Sequence, residues 1–138
     1  MSQENVEIVE RMCAAYASGD WEVAAGSLDP DIEWDVATAV DWPDAQVFRG
    51  REGVVEFFRR FLGTWEDYHV TFQEFVDVGD NVVVSVRDGG RGKQSGAKVQ
   101  REWAQLWTVR DGRVLAFRAF RDRASALAEA GVEGRRPS

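Results

Sequence analysis

The stretch "REWAQLWTV", Arg101–Val109, decides how the rest of the chain is read. In an extended backbone, successive side chains point to opposite faces. Arg101, Trp103, Gln105, Trp107 and Val109 then share one face, and Glu102, Ala104, Leu106 and Thr108 the other. A face that sets indoles around a glutamine is either a core with polar ends or the wall of a ligand pocket. Burying each ring contributes roughly 1.5–3 kcal/mol in both cases, so the aromatics do not discriminate. The polar group does, because an amide buried without a partner costs about 1–3 kcal/mol. Gln105 therefore calls for a partner, water or a ligand, and pocket lining is the expectation for Trp103, Gln105 and Trp107. Arg101 is expected at the rim, paired with a carboxylate.

Working outward, Asp111-Gly112 is the strongest tight-hairpin signal in the chain and joins this strand to another, Val114 to Arg121, with Phe117 and Ala119 in step. Upstream, "NVVVSVRDG" follows a Gly79-Asp80 turn, and "GGRGKQSG", 89–96, reads as a flexible hairpin loop. Before that, Tyr68, Val70 and Phe72 alternate. The apolar register then jumps to Phe75, Val76 and Val78, which predicts a bulge near Gln73 and Glu74. The result is a meander of strands. Asp122 reads as the cap of a closing helix, "RASALAEAG", stopped by Gly131.

The N-terminal half is helical. Val6, Val9, Met12, Cys13 and Tyr16 form one face of a helix over Gln3–Ala17. A short second helix is expected from Asp20, carrying Trp21, Ala25 and Leu28 and stopped at Asp29-Pro30. "DIEWDV" predicts a short strand with Ile32, Trp34 and Val36 on one face. Residues 37–49 read as a loop whose Trp42 and Phe48 lie over something apolar. From Gly50 to Trp65 the helical period returns, with Val54, Phe57, Phe58, Phe61, Leu62 and Trp65 as the stripe. Helices followed by an antiparallel meander make an α+β domain. A curved antiparallel sheet wrapped around three N-terminal helices, with a short C-terminal helix, fits residues 1–131 as one domain and 132–138 as a flexible tail.

Composition narrows the function. The 138 residues hold 24 acidic and 17 basic side chains, a formal net charge of −7, with no basic stripe. Nucleic acid and membrane are not expected partners. One cysteine and one histidine give neither an internal disulfide nor a Cys/His metal cluster, so no metal site is expected and a reduced, cytoplasmic setting is. Six Trp, eight Phe and two Tyr are many for this length; they either fill a core or line a cavity.

The order helix, "SGDW", short helix, "LDPDIEW", loop, "FRGREGVVEFFRRF", strands with "LWTVRDGRV", then "FRDRASALAEAG" resembles the SnoaL-like branch of the nuclear transport factor 2-like, or ketosteroid isomerase-like, superfamily. The resemblance spans Glu4 to Gly131 and implies a cone-shaped α+β barrel with an internal pocket. It places Met12, Val36 and Gln105 where ketosteroid isomerase carries its tyrosine, its aspartate base and its protonated aspartic acid, so an isomerase of that design is not expected. Tyr16 lies one turn beyond Met12. The resemblance puts Trp34, Phe57, Phe61, Trp103, Gln105, Trp107 and Phe117 around the pocket, with Met12, Val36 and Trp42. Asp122 and Asp41 are the candidate acid/bases, with Tyr16 or Gln105 to orient a carbonyl, although an aspartate placed like Asp122 is more often a helix cap than a catalyst.

Three readings stay open: a binding protein for a small hydrophobic ligand; a cofactor-free cyclase, isomerase or dehydratase acting on a polycyclic or aromatic molecule; and a dimeric scaffold without ligand. No cofactor is expected. A homodimer through the outer face of the sheet, bearing Ala104, Leu106, Arg118 and Phe120, is expected from the apolar character of that face and is also implied by the resemblance.

Overall fold

The computed structural model describes residues 2–20, 25–36 and 46–134. Helix α1 spans Ser2–Ser18, and Gly19 ends it at φ 85°, where its amide bonds back to the Ala15 carbonyl. Strand β1 covers Leu28–Asp35, β2 Val47–Arg49, and helix α2 Gly50–Gly63. The meander follows as β3 (Trp65–Val78), β4 (Asn81–Gly92), β5 (Lys98–Arg110) and β6 (Arg113–Phe120). Helix α3, Arg123–Gly134, closes the described chain. The six strands form one open, curved sheet in the order β2-β1-β6-β5-β4-β3. This is the α+β architecture expected, in its cone-shaped form.

Where the pattern was strong, the elements follow it. The β5–β6 hairpin turns on Asp111 and Gly112, both at positive φ, 53° and 77°. That pair of left-handed residues is what the turn type demands. The β3–β4 ladder slips between Phe72 and Glu74, so the bulge falls where the apolar register jumps. Asp122 caps α3, its Oδ1 accepting the Ser125 backbone N–H at 2.7 Å.

Several boundaries differ. Leu28 and the Asp29-Pro30 pair belong to β1, preceded by a 3-10 turn at Ala25–Ser27. Pro30 is tolerated because the β1–β6 register is broken between Leu28 and Glu33, so no ladder bond is asked of its missing N–H. The rest of the expected second helix, 21–24, lies outside the described residues. The end of the expected 37–49 loop is strand: β2 pairs Phe48 with Trp34 and buries it. Helix α2 stops at Gly63, and Trp65 opens β3. Gly89 to Gly92 belong to β4, with Gly89, Gly90 and Arg91 paired to β5 and Gly92 to Trp65 of β3, so the turn shrinks to the residues around Lys93–Ser95. Helix α3 runs past Gly131 to Gly134. The sheet is mixed, because β1 lies parallel to β6. Those two strands are separated by most of the chain, so no hairpin dictates their sense.

The largest correction concerns the outer face. Ala104 and Leu106, expected as an exposed dimer patch, are fully buried with Val83 beneath Ala126 and Ala130 of α3. The inner face packs against α1 and α2 and holds the main core. Among the described residues no helix is long and apolar enough to cross a membrane.

Candidate functional site

The odd-numbered residues of β5 face inward, as the alternation requires. Trp107 and Gln105 are completely buried, and Trp103 keeps 7 % of its surface. On neighbouring strands Trp34 and Phe117 stack at 3.9 Å between ring centroids, 12° from parallel. Trp107 meets both edge-on, at 5.5 and 4.9 Å. Helix α2 brings Phe57, Phe58 and Phe61 onto the same cluster, and α1 brings Met12 and Tyr16. Val36 is buried at the end of this wall. All the described residues expected to line the pocket are thus together in one inward-facing cluster. Trp42, and with it Asp41, falls outside the described residues.

Gln105 sits in this aromatic wall with its polarity fixed. Its Oε1 accepts the Trp107 indole N–H at 2.8 Å and lies 3.9 Å from the Cys13 thiol of α1. Both neighbours are donors, so the oxygen must face them and the NH2 must face away. Among the described residues, that Nε2 has no partner. The indole N–H groups of Trp34, Trp65 and Trp103 are likewise buried with no acceptor among them. Burial pushes the Cys13 thiol well above its ordinary value, with Glu10 adding to the effect, so it packs as a thiol and is no ready nucleophile.

Toward one end of the wall lies a group of polar residues that the sequence reading only half anticipates. Arg101 is paired with a carboxylate as expected, but the partner, Asp88, is completely buried. Arg101 Nε and Nη2 donate to the two Asp88 oxygens at 3.0 and 2.7 Å, and the Tyr68 hydroxyl donates to Oδ2 at 2.7 Å. The guanidinium also lies 5.6 to 5.9 Å from the ring centres of Phe61, Trp65 and Trp103. Burial alone would lower its pKa, but the hydrogen bonds and charge of Asp88 outweigh that and hold it above the ordinary value. Tyr16 interacts with Tyr68. Burial, reinforced by Asp88, drives the Tyr16 phenol far above its ordinary value; for Tyr68, burial acts first, then Tyr16 and Asp88. Both stay neutral donors throughout the physiological range.

Two further positions behave as surface chemistry predicts. Arg87 pairs with Glu102 across the ladder at 3.5 Å, both exposed, and His69 is exposed on β3. Asp122 is exposed, and its cap bond to Ser125 holds its carboxyl below the ordinary value. The structure does not bring it to the inward wall. Next to Trp34 and Trp107 is a void of about 10 Å³, also lined by Met12, Tyr16, Leu28, Val54 and Phe58. It holds about one water molecule.

The SnoaL-like domain model matches residues 9–117, most of the chain and nearly all of this wall. The chain belongs to the SnoaL-like domain family. Among solved structures, a nuclear transport factor 2-like protein from Burkholderia xenovorans LB400 is 29 % identical, with TM-score 0.74 over 95 % of this chain and 98 % of that one. A putative SnoaL-like polyketide cyclase from Jannaschia sp. CCS1 is 22 % identical, with TM-score 0.76 over 99 % and 96 %. TerC, crystallised with polyporic acid, is 22 % identical, with TM-score 0.75 over 94 % and 98 %. At these identities the last two speak for the SnoaL-like fold alone. No curated protein matches the chain.

Proposed function

We propose that this SnoaL-like domain binds a small, mostly apolar and aromatic molecule against the inner wall formed by Trp34, Trp103, Gln105 and Trp107. One observation carries the reading: the Gln105 amide and the Trp34 and Trp103 indoles present buried N–H donors with no acceptor among the described residues. Each such donor costs about 1–3 kcal/mol in a sealed core. A scaffold with a filled cone would do better with leucine and phenylalanine at these positions. The solved relative TerC, found with polyporic acid, adds a precedent for an organic ligand on this fold.

Binding is favoured over catalysis by what faces inward. Asp88 has both oxygens committed to Arg101 and Tyr68, and the two phenols and the thiol are held protonated by burial. Among the described residues, no inward carboxylate is free to move a proton. Because the described void takes only about one water, a ligand enters by displacing side chains, and Met12 on α1 is the most adaptable of them.

Nile red, an uncharged dye that brightens on burial, tests this. Saturable binding of one dye per chain is expected, with a rise in melting temperature. At a hundredfold excess over Kd the stabilisation is about 2.7 kcal/mol. Absence of both signals would leave the scaffold reading standing.

A further inference from the structure

We infer that the wall selects its ligand by hydrogen-bond polarity, an inference that rests on the ligand-binding reading above. It takes an uncharged apolar skeleton whose polar groups are acceptors only, such as a ketone, quinone, lactone or ester carbonyl. It rejects the alcohol and carboxylate counterparts of the same skeleton.

The argument is an inventory of what the wall offers. On the donor side stand Gln105 Nε2, Trp103 Nε1 and Trp34 Nε1, all buried and all unpartnered among the described residues. They belong to one continuous stretch. Trp103 and Gln105 are neighbours on the same strand face, and Trp107, bonded to Gln105, contacts Trp34 at 5.5 Å. On the acceptor side, the strong groups are spent. Gln105 Oε1 already faces Trp107 and Cys13, and both Asp88 oxygens are taken. A carbonyl oxygen brings two lone pairs and asks for nothing in return, so it can satisfy one or two of the orphaned donors at no cost to itself. An alcohol can accept too, but its own O–H loses water and finds no strong acceptor.

Charge decides the remaining case. Arg101 lies against the wall, 5.9 Å from the centre of the Trp103 ring, and Asp88 already neutralises it with two hydrogen bonds. An anionic ligand would add an uncompensated charge in a buried setting, inside a molecule whose formal net charge is −7. Electroneutrality therefore turns a donor-lined wall into a carbonyl site and not an anion site.

Four molecules on one skeleton separate these cases: fluorene, fluorenone, fluorenol and fluorenecarboxylate. Titration of the full chain, followed by tryptophan quenching or calorimetry, is expected to rank fluorenone about tenfold or more above each of the others, the value of roughly one good buried hydrogen bond. The carbonyl stretch of bound fluorenone should shift to lower frequency than in an apolar solvent. Trp103→Phe keeps an aromatic ring and deletes the N–H, and Gln105→Leu deletes the amide; whatever either does to binding as a whole, the ratio of fluorenone to fluorene affinity should fall several-fold toward one. If one variant fails to fold, the other carries the test. Nile red binding with fluorenone no better than fluorene, or with the carboxylate tightest, overturns the selectivity alone. If Nile red and all four probes fail to bind, the ligand-binding reading falls with it.

Discussion

Asp88 is the residue on which the polar end of the wall depends. It is fully buried on a central strand and keeps its charge acceptable only through Arg101 and Tyr68. Removing one partner of a buried pair leaves the other uncompensated, which costs about 3–5 kcal/mol, whereas removing both can be close to neutral. Arg101→Met is therefore expected to lower stability by ~3–5 kcal/mol, and Asp88→Leu added to it should recover most of that loss. Urea denaturation at constant m-value reads both. A single-variant loss under ~1 kcal/mol would mean that water reaches Asp88 after all. Half of this site was legible. Arg101 announces its need for a carboxylate, but Asp88, near the end of "NVVVSVRDG", is one acid among many and nothing there marks it as the partner. The signal was the period of Val82, Val84 and Val86, which carries position 88 onto the inward face. Tyr68 was read correctly as sharing a face with Val70 and Phe72, yet nothing in one sequence says which acid its hydroxyl finds.

At the scale of elements, the strand edge that carries Trp65 and Tyr68 is shaped by glycines on its neighbour. The β3–β4 ladder slips between Glu66 and His69, where Asp67 takes φ 56°. A Cβ on Gly90 would sit 3.1 Å from the Trp65 ring and 3.2 Å from the Glu66 carbonyl and the Tyr68 Cα. On Gly89 it would meet the Val99 carbonyl at 2.5 Å, a backbone atom that has nowhere to go. Gly89→Ala should then cost roughly 1–3 kcal/mol and speed amide exchange along β3. Gly131→Ala is the contrast: it lies inside α3 with open space where its Cβ would point, so a gain of ~0.5–1 kcal/mol is expected. A gain at Gly89 as well would show that backbone entropy, not close approach, governs that position. This explains why "GGRGKQSG" was misread. Glycine looks the same in a sequence whether it supplies freedom to a loop or room to a packed strand. The Phe72–Glu74 bulge was legible because it displaces side chains from their face, which leaves a mark in the hydrophobic pattern.

For the whole molecule, the decisive placement is that of α3. The outer face of this sheet is apolar at Val83, Ala104 and Leu106, and such a face is covered either by the chain's own C-terminal helix or by a second copy. Here Ala126 and Ala130 seal Val83, Ala104 and Leu106, with Leu127, Phe120, Val76 and Val78 packed around them, and Arg123 anchors the helix to Glu74 at 2.6 Å. The sequence concealed this choice, because a helix rich in alanine shows little hydrophobic contrast and says nothing about which side of a sheet it covers. With α3 in place, the ground for pairing two copies through β5 is gone. Sedimentation velocity at micromolar concentration should show the full chain as a monomer, while a chain ending at Asp122 should self-associate, since an apolar face bared to water draws a partner. A dimer in both would locate pairing on the outer surface that α3 leaves uncovered. A dimer in the full chain that dissociates on truncation would mean that α3 itself forms the contact. The inner wall does not depend on that outcome: its donors face α1 and α2 from within one chain, so Nile red should bind monomer and dimer alike.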